Sequence, residues 1–189
     1  MSVIKNKKIV ISGGPGSGKT TLINLLRDRG YTCFSEFSRV LINSAQKKVE
    51  MNIFKSQPDF FSEEVWKGRK QQYKNSQLSE GKKQNSFIFF DRGLHDVVAY
   101  LECTGVRYDP QKYNLSDFRY DMVILLPPWK AIYTKDKERN ESFDEAENLY
   151  FYIRNTYQKN NIPIVEIPFQ CPEVRISTLL NYLDDEKTG

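Results

Sequence analysis

The octapeptide Gly13-Gly14-Pro15-Gly16-Ser17-Gly18-Lys19-Thr20 constrains this chain more than any other feature. It fits G-x-x-x-x-G-K-[ST], a loop whose glycines leave backbone N–H groups free to curl around a phosphate. Such a loop belongs between a buried strand and the start of a helix, and the flanking sequence supplies both. Lys8 to Ser12 (KIVIS) is a short β-branched apolar run of the kind that forms a buried parallel strand. After Lys19 the apolar Leu22, Leu25 and Leu26 recur at helical spacing, and Gly30 stands where a glycine stop belongs. In this context Lys19 reaches the β and γ oxygens of a nucleotide, the Thr20 hydroxyl ligates Mg²⁺, and the helix start adds positive potential. The nucleotide-binding set is Gly13, Gly14, Pro15, Gly16, Ser17, Gly18, Lys19, Thr20 and Thr21, with Lys19 expected to stand exposed on the loop.

The remaining chain alternates strand and helix signals. Tyr31 to Phe34 reads as a second strand, and Val40, Leu41, Ser44 and Ala45 as a helix. Pro58 separates it from a longer helix with Phe61, Val65, Trp66, Arg69 and Tyr73 on one face. Ser86 to Phe90 is a strand ending at Asp91, Val97 to Leu101 lies in a helix, and Met122 to Leu126 is a buried strand closed by Pro127-Pro128. Ser142 and Glu145 form a capping box ahead of an amphipathic helix through Ala146, Leu149, Tyr150, Ile153 and Tyr157. Ile164 to Ile167 is the last strand, and Pro172 opens a terminal helix. Five apolar strands alternating with helices predict an α/β three-layer sandwich around a parallel sheet, with ligands at the carboxyl ends of the strands. The turn-rich Thr104 to Arg119 and the charge-dense Lys130 to Glu141 are expected outside the core.

With 189 residues, 39% hydrophobic and 13% aromatic, a single domain over 1–189 is the expectation. No stretch approaches the roughly 20 apolar residues of a membrane span, and the N-terminus lacks a secretory h-region, so a cytoplasmic protein is expected. Lys+Arg 28 against Asp+Glu 24, interspersed, favours anionic ligands without naming one. Cys33, Cys103 and Cys171 form no CxxC pair and read as buried small hydrophobes. His95 is the only histidine, which excludes two-histidine zinc motifs. The basic run from Trp66 to Lys74, continuing at Lys82-Lys83, has its aromatics on the apolar face and its lysines off it, so nucleic acid is disfavoured as a partner.

Beyond the loop, Asp91 ends a strand, as does the carboxylate that holds Mg²⁺ water in nucleotide-binding loops of this kind; its other reading is a turn residue. Arg92 follows it as a phosphate clamp or a helix cap. Glu36 and Arg39 follow the second strand and should face the loop, Glu36 as general base toward an acceptor hydroxyl and Arg39 as a binder of acceptor or phosphate; a surface i,i+3 ion pair is equally open. His95 and Asp96 begin the next helix, where Asp96 lines an acceptor pocket or caps the helix, and His95 has a surface position as its alternative. Tyr133, Asp136 and Arg139 recur every three residues and suggest a lid over about 130–141 that brings Arg139 to the transferring phosphate.

GGPGSGKTTL, the E-x-x-R after the second strand, DRGLHDVVAY and the Y-x-x-D-x-x-R lid together resemble the NadR-type AAA family of P-loop NTPases. That family is related to ribosylnicotinamide kinase domains and to nucleoside and nucleotide kinases, and the resemblance spans nearly the whole chain. It implies an adenylate-kinase-like fold using ATP and Mg²⁺, with GTP as the other nucleotide to test. The expected activity is a kinase that transfers a phosphoryl group to a small-molecule hydroxyl acceptor, nucleoside-like or ribosylated. The catalytic set is Lys19, Glu36, Asp91, Arg92 and Arg139; Glu36, Arg39, Arg92 and Asp96 bind the acceptor, and Thr20 and Asp91 serve the metal. The alternative is a nucleotide-dependent switch acting on a protein, a nucleic acid or an anionic lipid. No N-K-x-D guanine-reading motif supports its GTPase form.

Overall fold

Alternation of side chains along five short strands creates two apolar faces, and the computed structural model, which describes residues 6–46, 57–78, 87–132 and 142–188, shows both covered. The strands are β1 (Lys7–Ser12), β2 (Thr32–Phe34), β3 (Phe87–Asp91), β4 (Met122–Leu125) and β5 (Ile164–Glu166). They form one parallel sheet in the order β2-β3-β1-β4-β5. The helices are α1 (Lys19–Asp28), α2 (Phe37–Gln46), α3 (Pro58–Leu78), α4 (Leu94–Thr104), α5 (Phe143–Lys159) and α6 (Pro172–Thr188). Val10, Ile88, Phe90, Val123 and Leu125 point to one face and pack with residues of α3, α4 and α5. Ile9, Ile11, Phe89, Met122 and Ile124 point to the other and pack with α1 and α6. The expected three-layer α/β sandwich is what forms.

The register brings the chemistry to one end of the sheet. Ile11 is paired with Asp91 and Phe34 with Phe90, so the loop after β1, the segment after β2 and the end of β3 emerge side by side. A parallel sheet needs a crossover after every strand, which leaves these exits uncovered by hairpins. No helix among the described residues is long and apolar enough to cross a membrane.

Several boundaries differ from the sequence reading. β2 begins at Thr32, β4 stops at Leu125 and β5 at Glu166, while Asp91 is itself the last strand residue of β3. Pro58 opens α3 as well as preceding its apolar stripe, since its missing N–H is unneeded in the first turn. The Ser142–Glu145 capping box is present, with each side chain taking the other's backbone N–H. The expectation that Thr104 to Arg119 lies outside the core is overturned by Tyr113 and Phe118, which are buried. Their rings meet Trp66 edge-on at 5.1 and 5.7 Å, and Phe118 also meets Tyr73 at 5.3 Å. A few aromatics spaced along a polar loop can fold under a helix while their neighbours stay in water. Cys33 and Cys103 are only half-buried, Cys33 packing against the core, and Cys171 is exposed, so the cysteines are not the buried residues expected. Lys130–Ile132 is a 3-10 turn; the rest of the expected lid, including Tyr133, Asp136 and Arg139, lies outside the described residues.

Candidate functional site

Gly13 has φ 146°, and a Cβ there would fall 2.1 Å from the Leu126 carbonyl oxygen, so only glycine lets the loop leave β1. Gly16 and Gly18 also have positive φ, and Gly18 is the N-cap of α1. Lys19 is 7% exposed, which corrects the expectation of an exposed loop lysine. Its ammonium donates to the carbonyls of Gly13 at 3.0 Å and Gly14 at 2.7 Å and to Ser17 Oγ at 3.1 Å. A buried cation must be solvated by the protein, and the loop's own acceptors do so. From outside, Arg175 on α6 donates through Nη1 to the Ser17 carbonyl at 2.7 Å. Thr20 and Thr21 are exposed at the start of α1.

The loop forms one side of a cavity of about 350 Å³. Glu36, Ser38 and Arg39, Arg69 of α3 and Arg92 line it too, together with the apolar Ile42, Phe61, Val65 and Val97 and with Tyr100. Glu36 is the centre of this charge cluster. Its Oε1 accepts from Arg92 Nε at 2.9 Å and from Ser38 Oγ at 2.9 Å, and its Oε2 accepts from Arg39 Nε at 3.0 Å. The i,i+3 pair with Arg39 therefore exists, and it forms part of the cavity wall. Burial pushes the Glu36 carboxyl up, but the charges of Arg92 and then Lys19 outweigh it and hold the group well below the ordinary glutamate range. A glycine nearly three turns along α3 makes room for this arrangement. A Cβ on Gly68 would lie 2.2 Å from the ring of Phe37, the residue after Glu36.

Arg92 adopts φ 70°, a left-handed conformation that costs a non-glycine residue roughly 1–3 kcal/mol. Its N–H donates to the Ile11 carbonyl at 3.0 Å, and its Nη1 lies 3.4 Å from Asp96 Oδ1. Asp96 borders the cavity, yet its oxygens are engaged behind it. Oδ1 accepts from Ser12 Oγ, and Oδ2 accepts from Tyr157 OH at 2.7 Å and from the Gly93 N–H at 2.8 Å. His95 is 1% exposed, so its surface reading is wrong. It stacks on Tyr157 at 4.9 Å between ring centroids, and burial pulls its pKa down to about 4.

Asp91 is 5% exposed, and its Oδ1 has no hydrogen-bond partner among the described residues. Burial first, and the negative charge of Glu36 second, push its carboxyl up. A buried carboxylate oxygen left unpartnered beside a phosphate-binding loop fits a Mg²⁺ water shell. Among the described residues no group of three or more His, Cys, Asp or Glu could hold a metal alone. Asp91 and Thr20 are the residues that could serve a metal ion beside the loop.

Arg69 belongs to the cavity lining although the sequence motifs do not mark it. It is 5% exposed, donates through Nη1 to the Gly93 carbonyl at 2.8 Å, and lines the cavity. The signal was available: an arginine on the apolar stripe of an amphipathic helix needs a buried partner. Tyr157 and Arg175 gave no such signal, because a tyrosine on an apolar face and an arginine near a helix start are both ordinary.

A family model described as an AAA domain matches residues 8–175. No curated protein matches the chain. Among solved structures, it is similar to a deoxyadenosine kinase from M. mycoides with dCMP and a flexible dCDP bound, at TM-score 0.63 and 20% identity, covering 94% of this chain and 99% of that one. A thymidylate kinase from Ehrlichia chaffeensis aligns at TM-score 0.62 and 14% identity over 95% of this chain and 99% of the other. The thymidylate kinase from Candida albicans aligns at 0.58 and 16% over 97% and 93%. At these identities the likeness shows a shared fold, that of P-loop nucleoside and nucleotide kinases.

Proposed function

The chain belongs to this AAA-domain family, and from that premise we propose that it is an ATP- and Mg²⁺-dependent kinase of NadR type, phosphorylating a hydroxyl of a nucleoside-like or ribosylated acceptor. The observation that carries the reading is the Glu36–Arg92 ion pair lining the same cavity as the phosphate-binding loop. A switch protein has no need of such a chemically equipped lining beside its nucleotide. The solved kinases of the same fold support the reading without fixing the acceptor.

In this proposal residues 13–21 hold the ATP phosphates, with Lys19 turning from the loop carbonyls to the phosphate oxygens. Asp91 and Thr20 would hold a Mg²⁺ that neutralises charge between the phosphates. The acceptor lays its ring against Ile42, Phe61, Val65 and Tyr100 and directs its hydroxyl to Glu36. The acceptor oxygen forms the new P–O bond, the bond from the γ-phosphorus to its bridging oxygen breaks, and the hydroxyl proton leaves toward Glu36. Because neighbouring cations keep Glu36 ionised, it is a weak base. It orients the hydroxyl and takes the proton late, as a loose phosphoryl transition state allows. Arg39 and Arg92 supply positive charge to the transferring group, and Arg139, outside the described residues, is proposed to add to it.

The test is a screen of nucleosides, ribosylated metabolites and nucleoside monophosphates for acceptor-dependent ADP release, run with ATP and with GTP. One acceptor class should raise ADP release well above the basal rate, and Glu36→Gln should suppress that increment. If no acceptor does so, and Glu36→Gln matches the wild type in basal hydrolysis, the kinase reading falls.

A further inference from the structure

We infer that Tyr157, which lies outside the cavity, is a positioning residue for Arg92 and acts through Asp96; the inference rests on the kinase reading for its effect on rate. Tyr157 sits on α5, 0% exposed, and its hydroxyl donates to Asp96 Oδ2 at 2.7 Å. The same oxygen takes the Gly93 N–H at 2.8 Å, while Oδ1 takes the Ser12 hydroxyl and lies 3.4 Å from Arg92 Nη1. Donors from β1, from the turn after β3 and from α5 thus converge on one buried carboxylate.

That carboxylate acts on Arg92 in two ways. It clamps the N–H of Gly93, the residue next to Arg92, and so stabilises a turn in which Arg92 holds φ 70°. It also shares the guanidinium with Glu36, so that Nε faces Glu36 and Nη1 faces Asp96. A phenylalanine would fill the space of Tyr157 and stack on His95 equally well. The hydroxyl is the part that packing does not need, and burying it is favourable only because Asp96 accepts its hydrogen bond. Space has been kept for it as well: a Cβ on Gly93 would stand 2.7 Å from the Tyr157 oxygen.

The helix that carries Tyr157 also touches the nucleotide side. The Ala146 carbonyl would lie 2.7 Å from a Cβ on Gly14, and Leu149 lines the cavity. One rigid element therefore braces the loop near its start and the Arg92 turn near its end.

The experiment compares wild type, Tyr157→Phe, Ser12→Ala and Ile153→Val, the last being a fully buried α5 residue with no bond to Asp96. Two readouts are taken: kcat and KM with the acceptor found by the screen, and exchange of the Arg92 Nε–H proton by NMR, assigned with Arg92→Lys. Tyr157→Phe should lower kcat roughly tenfold at unchanged KM for ATP and speed Arg92 Nε–H exchange by a similar factor. Ser12→Ala should shift both in the same direction, and Ile153→Val should move neither. Wild-type exchange and kcat in Tyr157→Phe and Ser12→Ala would overturn the inference, as would an equal loss in Ile153→Val. If no acceptor is phosphorylated even by the wild type, the kinase reading fails by itself, and the Arg92 exchange rates decide the positioning role.

Discussion

Glu36 and Arg92, 56 residues apart in the chain, meet in the cavity lining with the Arg92 Nε–H donating to Glu36 Oε1 at 2.9 Å. The pair joins the exit of β2 to the exit of β3, strands already adjacent in the sheet. It also sets the ionisation of both groups: each charge keeps the other charged despite burial.

Glu36→Gln should therefore reduce acceptor phosphorylation by about 10²-fold, the low end of a general-base contribution, with ATP affinity retained. The same variant gives a pH signature. The folded Glu36 value lies below the ordinary 4.5, so its stabilisation is fully present above that value and is lost as pH falls beneath it. Urea unfolding should show a stability gap between wild type and variant at pH 7 that narrows toward pH 3. A gap of constant size would mean that Glu36 is not held ionised by its partners.

Lys19→Ala should abolish Mg-nucleotide binding, measured by titration calorimetry. The ammonium also ties together Gly13, Gly14 and Ser17. The variant should then lose about 1–3 kcal/mol in urea unfolding while keeping its circular dichroism. Unchanged nucleotide affinity would sink the loop assignment.

Asp91→Asn should separate stability from activity. Burial and the Glu36 charge both disfavour the Asp91 carboxylate, so a neutral amide should leave stability equal or higher. Mg²⁺-dependent turnover should nevertheless drop sharply while nucleotide affinity without metal persists. A normal Mg²⁺ titration of rate in the variant would remove Asp91 from the metal's protein ligands.

His95 offers a clean acid transition, being the sole histidine. Its folded value of about 4 lies below the ordinary 6.5, so the unfolded chain binds the proton first as pH falls. Stability is complete above pH 6.5 and declines between 6.5 and 4, by on the order of 3 kcal/mol. His95→Phe should flatten that part of the wild-type curve in urea unfolding across the range. A parallel curve for the variant would show that His95 is charged in the fold.

The strand–loop–helix unit at residues 8–26 was legible because its signals are local. Glycines at fixed offsets, a β-branched run and a helical leucine spacing each report on a few neighbouring residues. The three-layer architecture followed from the same kind of signal repeated along the chain. Glu36, Arg39, Asp91 and Arg92 were reachable too, since they follow strands whose carboxyl ends must lie together in a parallel sheet. Tyr113 and Phe118 were misplaced because a polar average over a loop conceals which of its residues turn inward.

Sequence alone determined which backbone could form the phosphate loop, because glycines at the fixed offsets of G-x-x-x-x-G-K-[ST] supply the conformational freedom that its turn requires. Only the tertiary structure decided how charge is shared around it. Lys19 turns to the carbonyls of its own loop, but Glu36 meeting Arg92, and Asp96 meeting Ser12 and Tyr157, depend on distances between groups far apart in the chain. Electrostatic and hydrogen-bond energies depend on those distances and on burial, and neither can be read from the order of residues.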